Sequence, residues 1–508
     1  MPVPADPVPP ARRSPAGRIV LSAVVLALVV LLGWGGTALV RTLTHKAGNG
    51  SGLGGLGGFG GTGGVALEAR GSAIELPADG AVAVTAAADR VYYSATAGGK
   101  TVVHALDAGT GAEKWKLEVP VEPTEARLHV VGDLVVLDAT KSASDSGKDM
   151  RVTITAGGAV ATKMPWDRRA DVAYVGTDAI VAATWQPFQA SRIDLKTGKV
   201  KWTGPALKSI IAYHPVGPEL TWNAGPTGVP ASVKAFSESF GANPDRLVQL
   251  DAHDGTARVL NGAGKVVASG PVPLDDPINK LTWTAYDGLL IGALTEEASN
   301  GKAQLAAYRL DTLKPAWPKP VAVNAGDEIT YVHPCGEHLV CMAYDKQSTD
   351  TKAILAVDTR TGTPVTWTAP PPYGSFAEDP YWSVHGHLML YGDGGFPPEL
   401  GCIGTGIAVL DPATGASLRS LRPGQGVCNG TVIAAAGRYV ALRSAGISGS
   451  RTFWQVALVD LSTGKSSQPL DIGGTTDGPQ PVAAVTGTTL VVLGGDRKLR
   501  IAAAPTLT

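Results

Sequence analysis

The sequence predicts an all-β fold in which eight four-stranded antiparallel units close into a ring, with seven units as the alternative, preceded by one N-terminal transmembrane helix. Three observations carry the prediction. A phrase of the form Asp-x-x-Thr-Gly occurs five times in text that is periodic at about 50 residues. Short runs rich in Val, Ala and Thr alternate with Gly-containing turns around it. Residues 19–40, IVLSAVVLALVVLLGWGGTALV, are uncharged and mostly apolar.

The chain has 508 residues, with 43 Lys and Arg against 44 Asp and Glu. It carries no basic stripe and no RNP-like motif, so nucleic acid is not an expected partner. Its 64 Gly and 37 Pro suit many short strands and turns better than helices.

The N-terminal end comes first. Residues 1–18 form a short Pro-rich tail, too small to hold an enzyme. Residues 19–40 match the roughly 20 helical residues that a bilayer core requires. Arg12, Arg13 and Arg18 precede the segment, opposed only by Asp6, and Arg41 and Lys46 follow it. That balance favours a cytoplasmic N-terminus and an extracytoplasmic remainder. The rival reading is a cleaved signal peptide, with Gly36-Thr37-Ala38 as a small-x-small cleavage site. Residues 41–71 read as a flexible linker. Within it, AGNGSGLGGLGGFGGTGG at 47–64 holds 11 Gly in 18 positions and cannot bury enough surface to fold.

Residues 72–508 carry the repeats. In the first unit, strands are expected at 81–87, 90–96, 101–107 and 112–118. Later units keep the plan: HLVCMAY, AILAVD and PVTW, then HLMLYG, GIAVLD and ASLRSL. The recurring phrase falls between the third and fourth strands. Its members are Asp107 with Gly111, Asp194 with Gly198, Asp358 with Gly362, Asp411 with Gly415 and Asp460 with Gly464. A carboxylate there accepts backbone N–H groups in an Asx turn, and the glycine takes a positive φ at little cost. A reaction centre is usually single, so a phrase repeated around the array reads as a structural joint. Trp115 and Trp202 follow the glycine by four residues, Trp367 is shifted by one, and Trp317 closes a variant lacking the glycine. Such rings wedge between neighbouring sheets.

On these residues, Ala105-x-Asp107-x-x-Thr110-Gly111-x-x-x-Trp115 and Asp194-x-x-Thr197-Gly198-x-x-x-Trp202, the chain resembles the PQQ-like β-propeller repeat family. That family includes the outer-membrane assembly lipoprotein BamB and the quinoprotein alcohol dehydrogenases. The chain also looks like membrane-anchored propellers of actinobacterial type. The resemblance implies a ring of blades and says much less about activity. Joint-like turns occur near 107, 157, 194, 262, 311, 358, 411 and 460, while 204–246 is irregular. The N-terminal SAIELPA is positioned to complete the last blade and close the ring.

Four cysteines, Cys335, Cys341, Cys402 and Cys428, suggest disulfides in an extracytoplasmic domain. Cys402 and Cys428 flank one hairpin and reach the same rim. Cys335 and Cys341 flank another, in HPCGEHLVC, where a local disulfide is favoured over zinc bound with His333 and His338. His385 and His387 read as turn residues.

A quinoprotein dehydrogenase typically places adjacent cysteines, a tryptophan floor and a calcium site at the hub. No Cys-Cys pair, C-x-x-C-H haem signature, G-x-S-x-G elbow, H-E-x-x-H or Walker loop occurs. Acids such as Asp379 and Glu399 follow no grouping pattern. No cofactor, metal or catalytic residue is therefore assigned. Long insertions at 140–150, 294–302, 344–352, 371–379, 392–402, 422–430 and 444–452 all fall on the face opposite the joints. Recognition tends to sit on such loops. Tyr373, Phe376, Tyr381 and Trp382, with Phe396 nearby, form a candidate ligand patch. The expectation is a non-catalytic, membrane-anchored, extracytoplasmic binding scaffold in envelope assembly or sensing. Its partners would be the membrane and a protein or envelope polymer. A PQQ-dependent dehydrogenase is the alternative.

Overall fold

The computed structural model describes residues 64–140, 149–167, 170–183, 186–207, 211–215, 246–275, 281–323, 327–346, 351–365, 375–376, 383–384, 387–392, 406–421, 427–448, 451–473 and 480–507. The tail, the segment 19–40 and most of the expected linker lie outside these residues. Among the described residues no helix is long and apolar enough to cross a membrane.

The described residues form nine antiparallel sheets. The first takes Val82–Ala87, Arg90–Ala97, Lys100–Asp107 and Glu113–Val119, in chain order. The second takes Glu125–Val131, Leu134–Thr140, Asp149–Thr155 and Val160–Trp166. The third runs from Asp171–Val175 to Val200–Thr203, and the fourth from Ile211–Pro215 to Val266–Pro271. The fifth runs from Trp283–Tyr286 to Val321–Ala322, and the sixth from Glu328–Gly336 to Thr363–Pro364. In the seventh, Ser375–Phe376 and Ser383–Val384 both pair with His387–Gly392, followed by Gly406–Leu410 and Ser417–Leu421. The eighth runs from Val427–Ala436 to Leu470–Asp471. The ninth joins Val482–Thr486, Thr489–Leu493 and Lys498–Ala503 to two N-terminal strands, Glu68–Ala69 and Ile74–Glu75.

Each sheet buries both faces, so its central strands are apolar almost throughout. All seven residues of Leu134–Thr140 are buried. The apolar clusters lie between consecutive sheets. Val103 and Ala105 of the first sheet meet Leu128, Val135 and Val152 of the second. Val136 and Leu134 of the second meet Val172 and Ala179 of the third. The sequence of clusters continues until Val491 and Ile501 of the ninth meet Val84 and Val91 of the first. The first strands of neighbouring sheets pack side by side toward the middle, while fourth strands face solvent, as at Val200, 57% exposed. This is a β-propeller, and closure leaves only short outer edges.

The expected eight units, or seven, differ from these nine sheets for a topological reason. Each of the eight joint-like turns falls between the third and fourth strands of a different sheet. The ninth sheet has no such turn because its outer strands come from the other end of the chain. Ile74 pairs with Leu499 and Glu75 with Lys498, inside the SAIELPA stretch. Counting turns undercounts by one a ring closed with a shared sheet. The sheeted region also begins before residue 72. Glu68 and Ala69 pair with Ala503 and Ala502, and Val65 bridges to Ser467 of the eighth sheet.

In a sheet of consecutive antiparallel strands, the second-to-third and sheet-to-sheet connections leave at one end. The first-to-second and third-to-fourth connections leave at the other. The described strand ends that flank the expected insertions lie at that first end. Two of these flanks pair as strand further than expected: Lys346 faces Thr351, and Ser448 faces Arg451. Residues 216–245, part of the stretch read as irregular, lie outside the described residues, and Pro215 and Leu247 on either side of them pair as first and second strands of the fourth sheet.

Candidate functional site

The repeated aspartates are occupied by their own turns. Asp107 Oδ1 accepts the backbone N–H of Gly109 at 3.1 Å, the N–H of Thr110 at 2.9 Å and the Thr110 hydroxyl at 2.9 Å. The Gly111 N–H donates to the Asp107 carbonyl at 2.8 Å, with φ at +74°. A hydrogen bond from Lys114, then those from Thr110, lower the Asp107 carboxyl to about 2. Asp194 accepts from the N–H of Lys196 and Thr197, Asp358 from Arg360, and Asp411 from Ala413. Asp460, fully buried, accepts from the Ser462 N–H and from the hydroxyls of Ser462 and Thr463. Gly198, Gly362, Gly415 and Gly464 all take positive φ and donate to the aspartate carbonyl.

Three tryptophans each tie one sheet to the next. Trp115 of the first sheet donates its indole N–H to the Ala156 carbonyl of the second at 2.9 Å. Trp202 of the third donates to the Gly262 carbonyl of the fourth at 2.9 Å. Trp317 of the fifth donates to the Thr359 carbonyl of the sixth at 2.7 Å. Each ring lies on the turn glycine of the following sheet. A Cβ placed at Gly158, Gly264 or Gly362 would come within 2.8, 2.6 and 2.6 Å of the ring respectively. Trp367 lies outside the described residues.

Cys335 and Cys341 are joined in a disulfide, Cα atoms 5.7 Å apart, buried between the sixth and seventh sheets. Both sulfurs are thereby withdrawn from metal binding. His338 instead hydrogen-bonds Asp287 at 2.8 Å. Cys402 lies outside the described residues, so its pairing with Cys428, on strand Val427–Ala436, does too. Of the aromatic patch, Phe376 sits on a short strand opposite Leu390. Tyr373, Tyr381 and Trp382 lie outside the described residues, as do His385, Asp379, Phe396 and Glu399.

The structure also assembles a polar site that sequence reasoning missed. A cleft of about 50 Å³ opens on the loop-bearing face between the second and third sheets. Three central strands each contribute one polar side chain to it. His129 comes from the first strand of its sheet, Asp138 from the second and Arg151 from the third. Asp138 and Arg151 are directly opposite in register. Arg151 is 1% exposed and forks onto Asp138, Nε to Oδ1 at 2.5 Å and Nη2 to Oδ2 at 2.5 Å. His129 Nε2 lies 3.2 Å from the same carboxylate. The guanidinium stacks 3.1 Å above the Trp166 ring, with the Tyr174 ring at 5.5 Å.

Burial alone would raise the Asp138 pKa. The Arg151 charge and the bonds from His129 and Arg151 overcome it and hold the carboxyl well below the usual carboxylate range. The same burial pushes the Tyr174 phenol up. Two nitrogens are left over: Arg151 Nη1 and His129 Nδ1 are buried without a hydrogen-bond partner. A guanidinium only donates, so a complement to Nη1 must bring an acceptor oxygen. The signal was present in the sequence as charged residues within apolar strands, LVVLDAT and DMRVTIT. Only strand register shows that they meet.

No protein-family model matches the sequence, and no curated protein is similar to it at the sequence level. Among solved structures, a eukaryotic initiation factor is similar at 11% identity and a TM-score of 0.47, covering 79% of this chain and 89% of that one. The computationally designed Ika8 protein is similar at 13% identity and a TM-score of 0.39, over 87% of this chain and 100% of that one. A europium-containing methanol dehydrogenase is similar at 12% identity and a TM-score of 0.31, over 84% of this chain and 83% of that one. At such scores these likenesses carry no argument, and the architecture rests on the chain's own strand pairing.

Proposed function

We propose that this chain is a non-catalytic binding scaffold: a nine-bladed β-propeller held outside the cytoplasm by the 19–40 anchor, serving envelope assembly or sensing. The observation that carries the reading is the cleft on the loop-bearing face, where Arg151 and His129 keep buried nitrogens without partners. Leaving such groups unpaired costs about 1–3 kcal/mol each, more where charged, and a bound ligand that brings an acceptor to Arg151 Nη1 recovers that group's share. The sheets behind the cleft belong to a closed ring, which suits display of a preformed surface. The Cys335–Cys341 disulfide supports an oxidising compartment, and the arginines before residue 19 support that orientation.

The test uses the full chain crosslinked in its native membrane. A partner recovered with the wild-type chain and depleted at least tenfold with Arg151→Lys supports the reading. Equal recovery with both rejects the cleft. Reconstitution with PQQ and calcium, followed by a dye-linked alcohol assay, separates the dehydrogenase alternative. Turnover there would overturn the non-catalytic assignment.

A further inference from the structure

A second cleft lies on the same face, between the fifth and sixth sheets, with a volume of about 380 Å³. Its lining is acidic. Asp275, Glu296, Asp327 and Glu328 converge there, and among the described residues Lys302 is the sole cationic side chain in the lining. The acids come from three separate segments. Asp275 follows the fourth sheet, Glu296 opens the one-turn helix Glu296–Ser299, and Asp327 and Glu328 begin the sixth sheet.

Crowded carboxylates on a solvated surface need no ligand. Asp327 is different, because it is only 7% exposed and its Oδ2 is buried with no hydrogen-bond partner. A carboxyl oxygen in that state has lost its water without gaining a donor. Among the described residues no group of three or more His, Cys, Asp and Glu is arranged to hold a metal ion. Beside Ser299, Lys302 and Gln304, the lining includes Leu294, 8% exposed, and Ile329, 5% exposed. A buried carboxylate with apolar side chains in the same lining matches a charged head on an aliphatic stem.

We propose that this cleft binds a primary alkylammonium group, with Asp327 taking the charged head and Leu294 and Ile329 lining the stem. An ammonium offers three donors, and Asp327 Oδ2 takes one of them. Glu296 and Glu328, both exposed at the rim, attract the cation over a distance of about one Debye length, roughly 10 Å at 0.1 M salt. The group can belong to a free diamine or to a lysine side chain. The assignment goes beyond the binding role proposed above and does not depend on the partner taken there.

The test is calorimetric titration of the full chain in detergent with cadaverine and, separately, with Nα-acetyl-lysine amide. Saturable binding of cadaverine alone identifies a free diamine. Binding of the lysine amide as well identifies a lysine side chain. Either is expected to weaken at least tenfold in Asp327→Asn and to weaken as salt rises. Should Asp327→Asn fail to fold, Glu328→Gln, at the exposed rim, serves instead, with an expected loss of about threefold. Absence of saturable binding by both amines overturns the proposal. Binding that is insensitive to both salt and Glu328→Gln overturns it too. Retained partner capture with lost amine binding in Asp327→Asn separates this proposal from the preceding one.

Discussion

Trp317 of the fifth sheet donates its indole N–H to the Thr359 carbonyl of the sixth at 2.7 Å, and its ring covers Gly362 so closely that no Cβ fits between them. The glycine is therefore required twice, by its φ of +68° and by the ring above it. Gly362→Ala is expected to cost about 2–4 kcal/mol, the sum of left-handed strain and overpacking. Trp317→Phe, which keeps a smaller aromatic ring and removes the donor, should cost about 1–3 kcal/mol, the lost hydrogen bond and lost packing together. Urea unfolding of both variants measures the pair. Gly362→Ala matching wild type would remove the docking role.

Asp460 tests whether the repeated carboxylates hold corners. Its side chain is fully buried, accepts three hydrogen bonds and lies 3.4 Å from Arg438. Asp460→Ala leaves the Ser462 N–H and two hydroxyls without their acceptor and should lower stability by about 1–3 kcal/mol. Partner capture should persist. Melting temperature and capture, measured on one preparation, distinguish the joint from a ligand site.

The Asp138–Arg151 pair predicts an acid limb. The Asp138 pKa is depressed in the folded chain, so its stabilisation is fully present above the unfolded carboxylate value of about 3.9. It is lost as pH falls from there toward the folded value. In Asp138→Asn that part of the acid sensitivity should vanish. At neutral pH the variant leaves Arg151 buried without its counterion, a loss of about 3–5 kcal/mol. Urea midpoints at pH 7, 4 and 3 for both proteins check the sign. An unchanged acid limb in the variant would exclude Asp138 as its source.

Ala88 predicts a gain. It turns the first hairpin of the first sheet at φ +52°, where Gly132, Gly176, Gly437 and Gly487 occupy the matching hairpins at similar angles. Ala88→Gly should stabilise the chain by about 0.5–1 kcal/mol, since relief of left-handed strain exceeds the added freedom of the unfolded state. A raised melting temperature checks it.

The architecture was legible wherever the chain's local chemistry repeats. Asp107, Asp194, Asp358, Asp411 and Asp460 announce corners because Asx turns and positive-φ glycines depend on only five neighbouring residues. Gly158 and Gly264 were less visible. Their turns start at Thr155 and Asn261, and what marks them is a tryptophan from the preceding sheet. Neither cleft could be assembled from the sequence, although the charges within LVVLDAT and DMRVTIT mark the strands of the first. His129, Asp138 and Arg151 sit on three strands, and Asp275, Glu296 and Asp327 on three segments. Neither set has a spacing, because strand register and the packing of one sheet on the next bring them together.

The shared ninth sheet fixes an order of events during synthesis. Ile74 and Leu76 are made early, yet their places beside Leu499 and Ile501 do not exist until the last strand has emerged. At about 5–20 residues per second the wait is roughly 20–90 s. During that interval the first-made strands have no lasting neighbour and present unpaired backbone N–H and C=O groups, with Ile74 and Leu76 uncovered, to anything nearby. The nascent chain is thus most exposed to mispairing at its oldest end, and a chaperone guarding it would have to hold the beginning while the ribosome finishes the end.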